Sequence, residues 1–107
     1  MNKLLLILIF ALVLPIQTFA LPIRPAQHVT KKVEIFVTSW CPYCKKLEGF
    51  LKSNDVQYTR YDIEKDPQGR AKHQRLGGGG IPVTLINNNK VLRGFEPVEL
   101  YEALGLH

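Results

Sequence analysis

The cysteine pair in Trp-Cys-Pro-Tyr-Cys, residues 40–44, constrains this chain more than any other feature. A run of branched apolar residues at 33–38 predicts a buried strand before it, and apolar residues at helical spacing follow it. Pro42 suits the first helical turn, where its missing N–H costs nothing. Cys41 is therefore expected at a helix N-terminus, where free backbone N–H groups and the helix dipole stabilise a thiolate.

The spacing of the two cysteines predicts redox chemistry. Cys44 lies one turn along the same helix face, so it can attack a mixed disulfide formed on Cys41 and release the reduced partner. Cys41 is the predicted nucleophile and Cys44 the predicted resolving cysteine. Pro42 and Lys45 are the residues expected to tune the reactivity of the Cys41 thiol.

Two other uses of a Cys-x-x-Cys pair are less favoured. A structural zinc site needs about four ligands, and the remaining candidates, His28, His73 and His107, are scattered over the chain. No metal site is therefore predicted. An inert structural disulfide would close so short a loop that its entropic stabilisation is small.

The rest of the chain alternates between strand-like and helix-like segments. Asp66-Pro67 predicts a helix N-cap followed by proline at the first helical position, and three asparagines, 87–89, predict a tight hairpin because asparagine tolerates positive φ. The predicted elements are strand 33–38, helix 41–53, strand 56–63, helix 67–76, strand 81–86, strand 90–93 and helix 97–104. The order predicts an α/β domain with a four-stranded mixed sheet and about three helices.

The motif Cys-Pro-Tyr-Cys matches the active site of glutaredoxins, so residues from about Lys32 to Leu104 resemble a glutaredoxin of the thioredoxin superfamily. Glutaredoxins carry a second signature whose proline is cis and faces the disulfide, and Gly80-Ile81-Pro82-Val83 is its counterpart. Gly94 matches the glycine that follows the last strand. The resemblance implies the thioredoxin-like (glutaredoxin) fold.

The resemblance also implies a substrate groove. A cis bond at Pro82 would leave the Ile81 backbone free to pair with an incoming peptide or glutathione, like an added strand. Gly94 and Phe95 are also expected to bind substrate. Pro82 as a plain strand-edge residue and Phe95 as a core residue are the simpler alternatives.

Two aromatic residues flank the predicted nucleophile. Trp40 precedes Cys41 directly and Tyr43 follows Pro42. Both are expected at the rim of the substrate groove, and ordinary packing is the alternative. The run of four glycines, 77–80, is either slack chain or a deformable wall of the same site.

The chain departs from the glutaredoxin pattern at the positions that hold glutathione. Typical members have a lysine three residues before the first cysteine and a polar, acidic turn at the last signature, where this chain has Thr38 and Gly94-Phe95-Glu96-Pro97. The Gly-Phe-x-Pro form resembles the NrdH-type redoxins, which draw electrons from thioredoxin reductase. Lys45 or Lys46 could still offer a positive charge to a glutathione carboxylate.

These features predict a thiol–disulfide oxidoreductase that exchanges disulfides with protein disulfides or dithiols and with an unidentified electron donor or acceptor. No bound cofactor is expected beyond the redox-active disulfide of Cys41 and Cys44, and a monomer is expected. One alternative is a glutathione-dependent glutaredoxin, with glutathione as co-substrate. The other is a non-enzymatic thioredoxin-fold module that binds a metal or a partner protein.

The N-terminus has the order of a secretory signal. A basic start, an apolar run from Leu4 to Leu14, Pro15 and small residues up to Ala20 predict a signal peptide at 1–20. An extended leader at 21–31 and the glutaredoxin-like domain at 32–107 follow. The predicted location is exported, periplasmic or extracytoplasmic, and the alternative is a membrane anchor formed by residues 4–21.

Charge and length limit the number of domains and the kinds of partner that the chain can have. Removal of the first 20 residues leaves 87, enough for one small domain. The net charge of +5 is modest, and no basic stripe interleaved with aromatic residues is visible. Nucleic-acid binding is therefore not predicted.

Overall fold

The computed structural model describes residues 31–106 together with Pro15. The predicted signal peptide and leader lie outside the described residues, apart from Pro15 and Lys31. The elements in chain order are β1 (Val33–Val37), α1 (Pro42–Ser53), β2 (Thr59–Asp62), α2 (Pro67–Arg75), β3 (Val83–Ile86), β4 (Lys90–Arg93) and α3 (Pro97–Leu104). The prediction of four strands and three helices is confirmed.

The strands form one mixed sheet in the order β2-β1-β3-β4. β1 pairs parallel with β2, and it pairs antiparallel with β3, which in turn pairs antiparallel with β4. The parallel pairing places the carboxyl ends of β1 and β2 at the same edge of the sheet. All five residues of the inner strand β1 are buried.

The sheet buries both of its faces. Ile35 and its neighbours on one face of β1 share a core with Leu47 and Leu51 of α1 and with Leu100 of α3. On the other face Phe36 packs with β3 residues and, through stacked rings 5.2 Å apart, with Tyr61. α2 contacts β1 and β2. The first core therefore anchors α1, the helix that carries both cysteines.

Three predicted boundaries of the first two strands are wrong by one to three residues. β1 ends at Val37 rather than Thr38, and β2 begins at Thr59 rather than Val56. The Val56 N–H donates to the Leu51 carbonyl, so this part of the chain closes the end of α1 instead of joining the sheet. β2 also ends at Asp62, one residue before the predicted end. The next residue, Ile63, still donates its N–H to the Val37 carbonyl.

The third strand also starts late. β3 begins at Val83 rather than Ile81, because Pro82 has no N–H to donate to the ladder. The Pro82 carbonyl nevertheless accepts a hydrogen bond from the Gly94 N–H at 2.8 Å. The bond between Ile81 and Pro82 is cis, as predicted.

The predicted N-cap of α2 and the asparagine hairpin are confirmed, whereas α2 ends one residue before its predicted end. The Asp66 side chain accepts a hydrogen bond from the Gln68 N–H, and Pro67 is the first residue of α2. α2 ends at Arg75, with Leu76 as its C-cap. Asn87 and Asn88 turn the chain between β3 and β4 with positive φ angles of 51° and 60°.

None of the helices between residues 31 and 106 is both long enough and apolar enough to cross a membrane.

Candidate active site

Cys41 is the N-cap of α1, directly beyond the buried end of β1. Its backbone is extended, with φ −78° and ψ 116°, and Pro42 is the first helical residue. The Cys44 N–H donates to the Cys41 sulfur at 3.2 Å. The first turn of α1 contains no acidic residue. The Cys41 sulfur therefore occupies the position at which a helix N-terminus stabilises negative charge.

The two thiols are unpaired and differ in burial. Cys41 exposes 4% of its surface and Cys44 1%. The pKa of the Cys44 thiol is raised to about 12, first by burial and then by the hydrogen bond and charge of Cys41, while a backbone hydrogen bond from Thr38 partly opposes them. Cys44 is accordingly a protonated thiol at neutral pH.

The two aromatic residues around Cys41 lie on the surface. Trp40 is 65% exposed and Tyr43 60% exposed. The Trp40 indole N–H donates to Glu64 Oε1 at 2.5 Å, and the Lys46 ammonium lies 5.1 Å from the centre of the Tyr43 ring. Simple packing in the core is thereby excluded for both aromatic side chains.

An open groove of about 260 Å³ lies beside the cysteine-bearing turn. It brings together five of the predicted substrate-groove residues and Glu96. Its lining consists of Tyr43, Ile81, Pro82, Gly94, Phe95 and Glu96. Phe95 also packs edge-on against Phe50, with ring centres 6.1 Å apart. Its side chain therefore contacts the hydrophobic core and also lines the groove.

Comparison with known proteins identifies the family. The family model described as Glutaredoxin matches residues 33–91. The chain belongs to the glutaredoxin family. The matched segment includes the cysteine pair and the cis proline, and family membership supports a thiol redox role for this pair.

Individual relatives agree with the family model. A glutaredoxin-like 8.6 kDa protein of Clostridium pasteurianum is 30% identical over 69 residues, which cover 64% of this chain and 91% of the relative. A prophage-derived thioredoxin-like protein of Bacillus subtilis is 33% identical, with coverage of 60% and 82%. The crystal structure of a glutaredoxin from Methanosarcina mazei superposes with a TM-score of 0.64 at 25% identity, covering 70% of this chain and 79% of that one.

Thr38, which stands where most glutaredoxins have a lysine, is buried. It exposes 4% of its surface, and its hydroxyl has no hydrogen-bond partner in the described residues. At the other glutathione position, Glu96 adds a carboxylate to the groove. Neither position offers a cation to a glutathione carboxylate.

Lys45 projects from the exposed side of the first turn of α1. Its backbone N–H donates to the Cys41 carbonyl at 3.2 Å. Its ammonium makes no salt bridge or hydrogen bond with any residue the structure describes. Its influence on the Cys41 thiol stays a prediction.

The described residues contain no group of three or more His, Cys, Asp or Glu side chains that could hold a metal ion. His73 lies within α2, where a ring nitrogen is 3.2 Å from the Gly80 carbonyl oxygen. His28 and His107 lie outside the described residues.

Sequence reasoning missed Glu64, the partner of Trp40. No signal in the sequence itself marks this contact, because it depends on the parallel register of β1 and β2, which pairs Val37 with Asp62. Residues that follow these two positions must then be neighbours. Arg70 and Asp62 hold the Glu64 backbone with hydrogen bonds of 3.0 Å each, which positions this residue near Trp40.

Proposed function

We propose that this protein is a thiol–disulfide oxidoreductase that exchanges disulfides with protein substrates, with Cys41 as nucleophile and Cys44 as resolving cysteine. The observation that carries the proposal is the asymmetry of the pair. Cys41 caps the helix N-terminus, whereas Cys44 is more deeply buried and has a pKa raised to about 12. Only one of the two thiols is therefore set up to attack first.

The exchange proceeds in two displacement steps. The Cys41 thiolate attacks one sulfur of the substrate disulfide and forms a new S–S bond, and the other sulfur departs as a thiolate that takes a proton from water. The Cys44 thiol then loses its proton to solvent, attacks the Cys41 sulfur and expels the second substrate sulfur. Two electrons pass to the substrate, and an external dithiol donor must reduce the resulting disulfide of Cys41 and Cys44.

The same contacts explain how Cys44 becomes reactive at the second step. Burial is the largest cause of the raised pKa of Cys44, and the hydrogen bond and charge of Cys41 are further causes. A mixed disulfide on Cys41 removes that thiolate charge, while the Thr38 N–H, which favours the Cys44 thiolate, stays in place. The pKa of Cys44 should therefore fall once substrate is attached.

The groove favours a polypeptide substrate. Ile81 offers backbone beside the cis proline, and Tyr43 and Phe95 supply apolar contact area. Trp40, next to Cys41 in the chain, is exposed and does not line this groove, and it offers a separate aromatic contact. A protein segment can use all of these contacts, whereas a small tripeptide reaches fewer of them.

Glutathione should be a weak partner. Each missing charge-assisted hydrogen bond removes about 1.5–3 kcal/mol, or roughly ten- to a hundredfold in affinity. Thr38 and Glu96 supply no cation, and Lys45 and Lys46 would recover part of the loss. Glutathione-dependent activity is the second candidate function, because family membership and these two lysines favour it.

The Gly-Phe-x-Pro sequence at 94–97 supports an NrdH-type redoxin that receives electrons from a protein reductase. The structure of the NrdH-redoxin of Escherichia coli shares the fold with a TM-score of 0.60 at 16% identity. We expect thioredoxin reductase with NADPH to reduce the oxidised protein faster than millimolar glutathione does. Faster reduction by glutathione would contradict this part of the proposal.

The experiment that separates the two functions compares two substrates. With dithiothreitol as donor, the wild-type protein should reduce insulin disulfides readily and release glutathione from a glutathionylated peptide slowly. The Cys44→Ser variant should lose the first activity, which needs both cysteines. Rapid release of glutathione by the wild type, retained in Cys44→Ser, would move the glutathione-dependent function to first place.

We further propose that the protein is exported, with residues 1–20 as a cleaved signal peptide ahead of a leader at 21–31 and a domain at 32–107. The proposal rests on the basic, apolar and small-residue order of the N-terminus. Mass spectrometry of the protein from a cell extract should find a mature N-terminus near Leu21. A full-length chain in the membrane fraction would favour the anchor at 4–21 instead.

A further inference from the structure

Four consecutive glycines, 77–80, lead directly into Ile81 and Pro82, the backbone that lines the groove. Gly77, Gly78 and Gly79 have positive φ angles of 107°, 57° and 83°. No side chain of the segment itself can hold it against the domain, and glycine has more backbone freedom to lose than any other residue. The Gly77 and Gly78 N–H groups donate to the Gln74 and His73 carbonyls at the end of α2, and the rest of the segment must be held by contacts from elsewhere in the domain.

The side chain of Arg93, the last residue of β4, contacts this segment. Its Nη1 donates to the Gly78 carbonyl at 2.9 Å, and its Nη2 donates to the Leu76 carbonyl at 2.6 Å. A Cβ built on Gly77 would lie only 2.8 Å from Nη2, so the guanidinium rests directly against the backbone. One planar group thus binds carbonyls on both sides of Gly77.

The neighbour of Arg93 holds the far end of the segment. The Gly94 N–H donates to the Pro82 carbonyl at 2.8 Å, and Gly94 itself lines the groove. Arg93 and Gly94 together connect the end of β4 to the glycine segment and to the cis proline. His73 adds a contact of 3.2 Å to the Gly80 carbonyl.

We propose that Arg93 is a positioning residue for substrate: it orders the glycine segment so that the Ile81 backbone is presented to an incoming polypeptide. The inference rests on the proposed function, because it assigns the groove edge to a protein substrate. Without the guanidinium, the segment becomes mobile and substrate has to order it on binding. Binding then weakens, while the chemistry at Cys41 is unchanged.

Steady-state kinetics with insulin as the disulfide substrate tests this role. Arg93→Ala should raise KM by about fivefold or more, equivalent to about 1 kcal/mol, with kcat within about twofold of the wild type. The KM of Arg93→Lys should lie between those of the wild type and Arg93→Ala, because an ammonium makes a single point contact. Arg75→Ala removes the same charge from an exposed position on α2 and should leave KM unchanged.

A second substitution distinguishes local order from general stability. Gly80 lacks a positive φ, and a Cβ on it meets nothing within 4 Å, so Gly80→Ala should stiffen the segment without strain. Added to Arg93→Ala, the Gly80→Ala substitution should reverse part of the increase in KM. Gly49→Ala is the control, because Gly49 is an equally open position in α1, away from the glycine segment. This substitution should leave the increased KM of Arg93→Ala unchanged. Equal recovery by the two would overturn the positioning role.

Hydrogen exchange gives a readout that does not depend on activity. Amides of residues 77–81 should exchange faster in Arg93→Ala than in the wild type, while amides of β1 stay protected. Unchanged exchange in the segment would refute the proposal even if the protein reduces disulfides. Faster exchange in a protein without disulfide reductase activity would instead refute the proposed function and leave the ordering role of Arg93 standing.

Discussion

At the scale of single residues, the two cysteines differ in surroundings more than in position. Cys41 caps the helix and accepts the Cys44 N–H, whereas Cys44 is 1% exposed with a pKa raised to about 12. A thiolate, rather than a thiol, is the attacking species in disulfide exchange. The difference in surroundings supports the proposed order of the two steps, in which Cys41 attacks first.

The first prediction concerns the alkylation rates of the two thiols. Iodoacetamide should modify the Cys44→Ser variant, which retains Cys41, rapidly at pH 7. It should modify Cys41→Ser slowly, because burial keeps Cys44 protonated. The rate for Cys41→Ser should still be rising above pH 9. A fast-reacting thiol in Cys41→Ser at pH 7 would reverse the assignment.

The second prediction concerns glutathione and the residue three positions before Cys41. Thr38→Lys should increase the release of glutathione from a glutathionylated peptide by about tenfold, because it restores one charge-assisted contact. Thr38→Met is the matched control, since methionine has a similar length and no charge. A gain shared by both variants would point to packing at this buried position, and no gain with lysine would argue against a charge effect.

At the scale of elements, the parallel pair β1 and β2 brings the Trp40 loop against the turn that contains Glu64. Trp40 is the only tryptophan of the chain, so tryptophan fluorescence comes from this residue alone. Glu64→Ala should lower the fluorescence anisotropy of Trp40, because the indole loses its hydrogen bond. Glu64→Gln keeps a hydrogen-bond acceptor, so its Trp40 anisotropy should stay near that of the wild type. Unchanged anisotropy in Glu64→Ala would show that the contact does not hold the indole.

Elements that depend on local sequence signals were predictable. Asp66 and Pro67 mark the start of α2, the asparagines mark the hairpin, and the apolar spacing of α1 places Cys41 at its N-terminus. Cys41 and Cys44 form the local part of the candidate site, and a five-residue motif was enough to single them out. Capping, turn preference and helical periodicity act over a few residues.

Individual contacts and strand boundaries that depend on the exact register between distant segments were not predictable. Val56 begins a strand-like run, yet its N–H bonds to Leu51 at the end of α1 and β2 starts only at Thr59. The contacts of Glu64 with Trp40 and of Arg93 with Leu76 span 24 and 17 residues. Both require the register of the sheet, which a single sequence does not display.

At the scale of the whole molecule, a buried carboxylate couples stability to pH. Glu34 on β1 is 1% exposed, and its carboxylate lies 2.6 Å from the Lys72 ammonium and 3.4 Å from that of Lys32. Burial alone would raise the pKa of Glu34, but the two lysines outweigh it and hold the pKa below its ordinary value of 4.5. The folded state therefore binds this proton less readily than the unfolded state.

The sign of the pH effect follows from the lowered pKa. The stabilisation by ionised Glu34 is fully present above about pH 5 and is lost as the pH falls through the folded-state pKa, below 4.5. Glu34→Gln should therefore unfold at lower urea concentration than the wild type at pH 7, and the difference should shrink at pH 3. A difference that is constant between pH 7 and pH 3 would contradict the linkage.

The central claim is that Cys41 makes the first covalent bond with a protein disulfide and that Cys44 resolves it. Its most direct test is to mix each single-cysteine variant with oxidised insulin at pH 7 and to analyse the non-reduced products by mass spectrometry. The account predicts that Cys44→Ser accumulates a mixed disulfide whose insulin chain is attached to Cys41, and that Cys41→Ser accumulates none. A mixed disulfide on Cys44 in the Cys41→Ser variant, or no adduct on Cys41 in the Cys44→Ser variant, would contradict it.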